Sequence, residues 1–114
     1  MDCWATWCIP CRKQTPYLDS LAEEYKNRVQ FISLSADQFI NKWDSWLLNS
    51  MDKNDHVLQL HAANGFDNIF FRWLMITAIP RYILFSKSGN LLNLTMPYPS
   101  SKDDFKKEID HYLK

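Results

Sequence analysis

Apolar and polar positions alternate along this chain with periods that change several times, and each change marks an element. Asp2-Cys3-Trp4 reads as the end of a buried strand. From Ile9 the spacing turns helical, with Leu18, Leu21, Ala22 and Tyr25 at i, i+3, i+4 and i+7. Pro16 lies inside this segment and predicts a kink, and Asn27-Arg28 closes the helix. Val29 to Ser35, "VQFISLS", has the length and β-propensity of a buried strand. A second helix is expected from Phe39 to about Ser50, with Phe39, Trp43, Trp46 and Leu47 on its inner face.

The stretch "MDKNDHVLQLHAANG" reads as a loop with a short extended piece. A third helix should follow, with Phe66, Ile69, Phe70, Trp73 and Leu74 on one face. "RYILF" is a strand, "SKSGN" a turn and "LLNLT" the returning strand of a hairpin. Ser101 begins the last helix with Asp104 three residues on, a capping pattern, and Phe105, Ile109, Tyr112 and Leu113 form its buried stripe. The order is β-α-β-α-α-β-β-α. A parallel βαβ unit followed by a hairpin and a closing helix predicts an α/β fold, a mixed sheet with helices on both faces.

Composition narrows the possibilities without naming one. The 114 residues suit a single domain, and 46% hydrophobic with 15% aromatic content is globular. Lys+Arg and Asp+Glu are both 13, so no net charge or basic run points to nucleic acid. No apolar stretch reaches membrane-spanning length, and no signal peptide precedes the first strand. Either the chain is cytosolic or its targeting segment lies outside this sequence. No internal repeat divides residues 1–114.

Chemistry concentrates in "WATWCIPC". Cys8 and Cys11 flank Pro10 directly before the helix. A helix N-terminus carries unpaired N–H groups and partial positive charge, which stabilise a thiolate. Cys8 stands at that edge; Cys11 is nearly a turn further in, on the same side, within disulfide reach and more buried. Pro10 suits the first helical turn. One exposed, activated sulfur and one shielded sulfur is the asymmetry that thiol–disulfide exchange needs. A structural disulfide closing so small a loop stabilises little. A zinc site needs about four ligands, and Cys3, His56, His61 and His111 form no second pair. His56, His61 and His111 also lack triad spacing and read as surface or structural residues. Cys3 alternates with Asp2 and should face the other side as a small buried hydrophobe. Trp7 borders Cys8 and should belong to an exposed apolar rim. Trp4, Trp43, Trp46 and Trp73 fit core positions, and Arg81 reads as solvated.

"WATWCIPCRKQTP", "FISLSAD" and "AIPRYILFSKSGN" together resemble the thioredoxin superfamily, in particular the TlpA/ResA-like thiol:disulfide oxidoreductases, including forms abundant in Bacteroidetes. The resemblance spans nearly the whole chain and implies a thioredoxin fold. It implies Cys8 as nucleophile and Cys11 as resolving thiol, with no cofactor and no metal. It makes Pro80 a cis-proline beside the dithiol and Ile79 the residue whose backbone meets an extended substrate. Asp2, six residues before Cys8, stands where thioredoxin has a buried aspartate that takes the Cys11 proton; a solvated terminal carboxylate is the alternative. Gln14 stands where many relatives have a glutamate that tunes thiol acidity, and glutamine cannot ionise.

The resemblance further implies a reductase of protein disulfides, recharged by an upstream thiol protein, periplasmic or otherwise extracytoplasmic, with any membrane tether outside this sequence. The rival from another class is a non-catalytic binding module that kept the fold. The family's central strand should lie between "VQFISLS" and "RYILF", and only the first few residues supply it here. The sequence therefore reads as an excerpt or truncated form of a longer chain. Unpaired backbone groups near the start of the sheet are expected, with oligomer formation possible there.

Overall fold

The computed structural model describes residues 1–50 and 54–113. Its strands are β1 (Asp2–Trp4), β2 (Phe31–Ser35), β3 (Val57–His61), β4 (Arg81–Tyr82), β5 (Leu84–Phe85) and β6 (Leu91–Asn93). Its helices are α1 (Ile9–Glu24), α2 (Ile40–Asn49), α3 (Ile69–Trp73) and α4 (Asp103–Leu113). Four strands form one sheet in the order β3-β2-β1-β4, and β5-β6 pair as a separate ribbon. β1 is central, parallel to β2 and antiparallel to β4. That is the mixed sheet the element order predicts.

Two apolar clusters cover the sheet's faces. Leu18, Leu21, Ala22 and Tyr25 of α1 meet Phe105 and Ile109 of α4 over Phe31, Val57 and Tyr82. On the other face Cys3, Leu34 and Ala36 pack against Phe71, Leu74, Ile76 and Ile83. Because side chains alternate along a strand, Cys3 and Asp2 point to opposite faces. α1 runs through Pro16 as one helix and ends at Glu24, with Tyr25 as its C-cap, earlier than Asn27-Arg28.

β1 has three residues and begins opposite Ser33, so Phe31 and Ile32 of β2 face no β1 strand residue. Met1 extends the ladder by one bonded pair. Its amino group donates to the Ile83 carbonyl at 2.6 Å, and Ile83 N–H donates to Met1 O at 2.9 Å. Beyond that pair Leu84 and Phe85 pair with β6, in a separate ribbon, which divides "RYILF" into two short strands. The sequence pattern predicts one strand there because Tyr82, Ile83 and Phe85 favour the β conformation.

Four further readings are corrected. The extended piece expected in the loop stretch is β3, a five-residue strand paired in full register with β2 from Phe31↔Val57 to Ser35↔His61, longer than the short piece the sequence suggests; residues 51–53 of that stretch lie outside the described residues. Phe39 is the exposed N-cap of α2, while Trp43, Trp46 and Leu47 are half-buried. The third helix is a single 3-10 turn, Gly65–Asp67, followed by a short α3 that Asn68 caps by accepting the Phe70 N–H at 2.9 Å. Splitting the helix changes its phase: Phe71 is fully buried, and Ile69 and Trp73 stand exposed. Finally, Ser101 closes a 3-10 turn and α4 begins at Asp103, with Asp103 and Asp104 in its first turn. Carboxylates suit that end of the helix dipole. Phe105 and Ile109 are buried as expected, but Tyr112 and Leu113 are substantially exposed.

Gly65 sits at φ 57, and a Cβ there would come within 2.7 Å of the Ala36 carbonyl oxygen. Backbone conformation and space both exclude a larger residue. Gly65→Ala should destabilise the chain by roughly 1–3 kcal/mol. Chemical denaturation checks this, and an unchanged midpoint would contradict the close approach.

Candidate active site

The β1–α1 turn presents the two cysteines. Cys8 is the N-cap of α1, in extended conformation with φ −87° and ψ 102°. Its N–H donates to Ala5 O at 3.1 Å, and its carbonyl accepts Arg12 N–H at 3.1 Å. The Cys11 N–H donates to Cys8 Sγ at 3.2 Å, within hydrogen-bonding range for sulfur. Cys8 and Cys11 are joined as a disulfide, with Cα atoms 5.3 Å apart. Pro10 occupies the first turn and is exposed, so its missing N–H leaves no buried acceptor unpaired.

The expected contrast between an exposed and a shielded sulfur is not one of exposure here: Cys8 is 4% and Cys11 3% exposed. Hydrogen bonding and the disulfide draw the Cys8 sulfur over the first turn, under its neighbours. The asymmetry lies in polar contact instead. Cys8 Sγ accepts a helix N-terminal N–H, the interaction that stabilises a thiolate, while Cys11 is a residue of the helix itself.

Around the pair stand groups from distant parts of the chain. Trp4, Ala5, Cys8 and Cys11 form a buried cluster, with Trp43, Trp46 and Ile79 packed against it. Trp46 meets Trp4 edge-on with ring centroids 4.6 Å apart. α2 thus walls the dithiol, a role that the helical spacing of Trp43 and Trp46 does not reveal. The Ile79-Pro80 peptide is cis, and Ile79 reaches the dithiol cluster across the sheet. Trp7 is 61% exposed beside Cys8, as expected of a rim, and Ile9 is equally open. Trp73 is exposed rather than in the core.

Asp2 is buried beneath this layer, on the same strand face as Trp4. Ser33 Oγ donates to Asp2 Oδ2 at 3.0 Å, whereas Oδ1 has no hydrogen-bond partner among the described residues. Asp2 lines a cavity of about 890 Å³ shared with Trp4, Arg12, Thr15, Ser33 and Gln59. Burial pushes its carboxyl up to about 7, against the smaller opposing effects of Ser33 and the Met1 amino group. The solvated alternative for this residue is therefore excluded. Cys3 lies on the other face, fully buried, and burial pushes its thiol up to about 12, which leaves it a packing residue.

Gln14 and the histidines make structural contacts, and Arg81 departs from its solvated reading. Both ends of the Gln14 amide are engaged by Ser100: Nε2 donates to Oγ at 3.0 Å, and Oε1 accepts the Ser100 N–H at 2.9 Å. Gln14 thus ties α1 to the turn before α4. Arg81 is half-buried and donates to Leu94 O at 3.4 Å rather than standing free in solvent. His56 lies 3.0 Å from Glu23. His61 contacts Asp37 O at 2.7 Å and stacks on Trp43, with centroids 5.6 Å apart.

Asp37 is the residue that sequence reading passed over. Only 1% exposed, it accepts from Thr6 N–H at 3.0 Å, Thr6 Oγ1 at 2.7 Å and Ser35 Oγ at 2.6 Å. An acidic residue two positions after a serine at a strand end was the available signal, since such side chains fold back on local donors.

A Cys-x-x-Cys pair at a helix N-terminus, with the residue before a cis-proline packed against it on a four-stranded mixed sheet, defines the thioredoxin class of redox folds. The chain belongs to the thioredoxin-like family, whose model matches residues 1–91. It is 33% identical to the thiol-disulfide oxidoreductase ResA of Oceanobacillus iheyensis over 62% of this chain and 41% of that protein. It is 24% identical to ResA of Bacillus thuringiensis over 100% of this chain and 60% of the relative. The chain thus spans roughly half the length of these curated relatives. A crystal structure of a provisionally assigned thiol-disulfide oxidoreductase from Bacteroides vulgatus matches with TM-score 0.82 and 31% identity, covering 96% of this chain and 74% of that one. A solution structure so assigned, from the same organism, matches with TM-score 0.78 and 34% identity over 97% and 70%.

Proposed function

We propose that this chain is a thiol:disulfide oxidoreductase that reduces disulfides in other proteins through Cys8 and Cys11. The observation that carries the reading is the Cys11 N–H donated to Cys8 Sγ at the N-terminus of α1. In the reduced form that contact and the helix dipole stabilise a Cys8 thiolate. The thiolate attacks one sulfur of a substrate disulfide, forms a mixed disulfide and expels the other substrate sulfur as thiolate. Cys11 then attacks Cys8 Sγ, which closes the Cys8–Cys11 disulfide and releases the second substrate thiol. Two electrons pass to the substrate, and an upstream thiol protein must return two to the chain.

Asp2 takes the Cys11 proton during the second step. Its carboxyl, held at about 7 by burial, is poised to accept near neutrality. Trp7 and Ile79 supply apolar and backbone contacts for an extended substrate segment, with Pro80 beside them. Gln14 supports the site indirectly, by anchoring α1. The resemblance to TlpA/ResA-like proteins supports an extracytoplasmic setting; among the described residues no helix is long and apolar enough to cross a membrane.

A turnover assay tests the reading. Catalytic amounts of the chain, recharged by a small dithiol, should accelerate reduction of a disulfide-bonded protein well above the dithiol alone. No acceleration would overturn it.

A further inference from the structure

The loop that carries Cys8 is held by a residue outside the dithiol and proline segments. Thr6, two positions before Cys8, donates both its N–H and its hydroxyl to the Asp37 carboxylate, at 3.0 and 2.7 Å. Asp37 is itself clamped. Ser35 Oγ donates to Oδ2 at 2.6 Å and accepts the Asp37 N–H at 3.0 Å, while the Asp37 carbonyl meets His61 Nε2 at 2.7 Å. A Cβ at Gly65 would meet the backbone on either side of Asp37, 2.7 Å from Ala36 O and 3.1 Å from Gln38 Cα. A buried carboxylate with three donors and fixed backbone neighbours is a rigid anchor.

We propose that Asp37 is a positioning residue for the nucleophile. Through Thr6 it fixes the turn from which Cys8 projects, and so keeps Cys8 Sγ over the Cys11 N–H. The inference deepens the proposed function and rests on Cys8 being the attacking thiol. The physical reason is directional. The N–H···S contact is 3.2 Å long, and it weakens quickly when the acceptor swings off the N–H axis. A loop free to shift would expose the thiolate to a poorer set of donors and raise its pKa. The charged or titratable groups on the surrounding elements include Asp2 and Cys3 on β1, Cys11, Arg12 and Lys13 on α1, Lys42 and Asp44 on α2, His61 on β3 and Arg81 and Tyr82 on β4.

Replacing Asp37 itself removes a charge as well as bonds, and these effects oppose each other at Cys8. Thr6→Val is the cleaner variant: it deletes the hydroxyl donor, keeps the backbone N–H and alters no charge. Thr6→Ser keeps the hydroxyl. The measurement is the alkylation rate of Cys8 in the reduced protein against pH, followed by mass spectrometry of the Cys8 peptide well below the melting temperature. Thr6→Val should raise the midpoint by roughly half a unit to one unit, slowing alkylation by about three- to tenfold at pH values well below both midpoints. Thr6→Ser should restore the parent profile.

A role confined to stability would lower the melting temperature and leave the midpoint of the folded protein unmoved, and that result would overturn the inference. So would a Thr6→Ser variant shifted as far as Thr6→Val. If the parent Cys8 itself lacks a depressed midpoint, the nucleophile assignment fails first. That is a separate result from a parent with low midpoint and indifferent variants.

Discussion

Cys11→Ser should accumulate a mixed disulfide with substrate, while Cys8→Ser accumulates none and loses turnover by roughly a hundredfold or more. The two cysteines are almost equally buried, so exposure does not distinguish them. Contact chemistry does. Cys8 is the N-cap and its sulfur accepts a helix N–H, which favours the anion; Cys11 lies inside the first turn. Without Cys11 nothing inside the protein can break the bond from Cys8 to substrate, so that species persists. Cys3 does not compete, because it is fully buried and its thiol is pushed up to about 12. Non-reducing gels show the adduct, and mass spectrometry locates the linkage. Trapping through Cys11, or equal trapping in both variants, would reverse the assignment.

The second large effect concerns Asp2. Its carboxyl lies at about 7 in the folded chain, against an ordinary value of 3.8. The folded state therefore holds this proton more tightly than the unfolded state. The stability that follows is fully present below pH 4 and is lost as pH rises through 7. At about 1.4 kcal/mol per unit the loss approaches roughly 4 kcal/mol by pH 8. Asp2→Asn removes this dependence, so the variant should melt higher than the parent at pH 8, by roughly 10 °C. The gap should close toward pH 4. The second polar atom of the amide also lacks a partner, which keeps the gain below the full figure. Burial pushes the Met1 amino group below 8.0, with opposite sign, so the comparison is parent against variant at each pH. Turnover should move the other way and slow at the resolving step if Asp2 takes the Cys11 proton. A parent whose melting temperature rises from pH 5 to pH 8 relative to Asp2→Asn would contradict the buried, proton-holding carboxyl.

Local chemistry made the redox pair readable from the chain. A Cys-x-x-Cys with proline, set between a strand end and a helical period, specifies an N-cap sulfur and a partner one turn on, and both positions hold. The α/β order and the burial of Phe105 and Ile109 also follow from periodicity, because one face of each element must leave water, whereas the central place of β1 came through the family resemblance. The cis state of Pro80 came through the family resemblance, since Ile-Pro in isolation favours trans.

Other features depend on which elements meet. The Val57–His61 strand has a mixed polar pattern and becomes a strand because β2 offers it a full edge. The burial of Phe71 over Trp73 follows from a helix split at Asn68, where a side-chain cap outweighs the continuous apolar spacing. The titration of Asp2 near 7 depends on the elements that cover the second residue of the chain, and no property of aspartate itself sets it. Asp37, Thr6 and His61 lie 31, and then 24, positions apart along the chain, and only folding makes them one hydrogen-bonded anchor beneath Cys8. Periodicity and capping act over a few residues and are written in order along the chain; desolvation and long-range hydrogen bonding exist only after distant segments have packed.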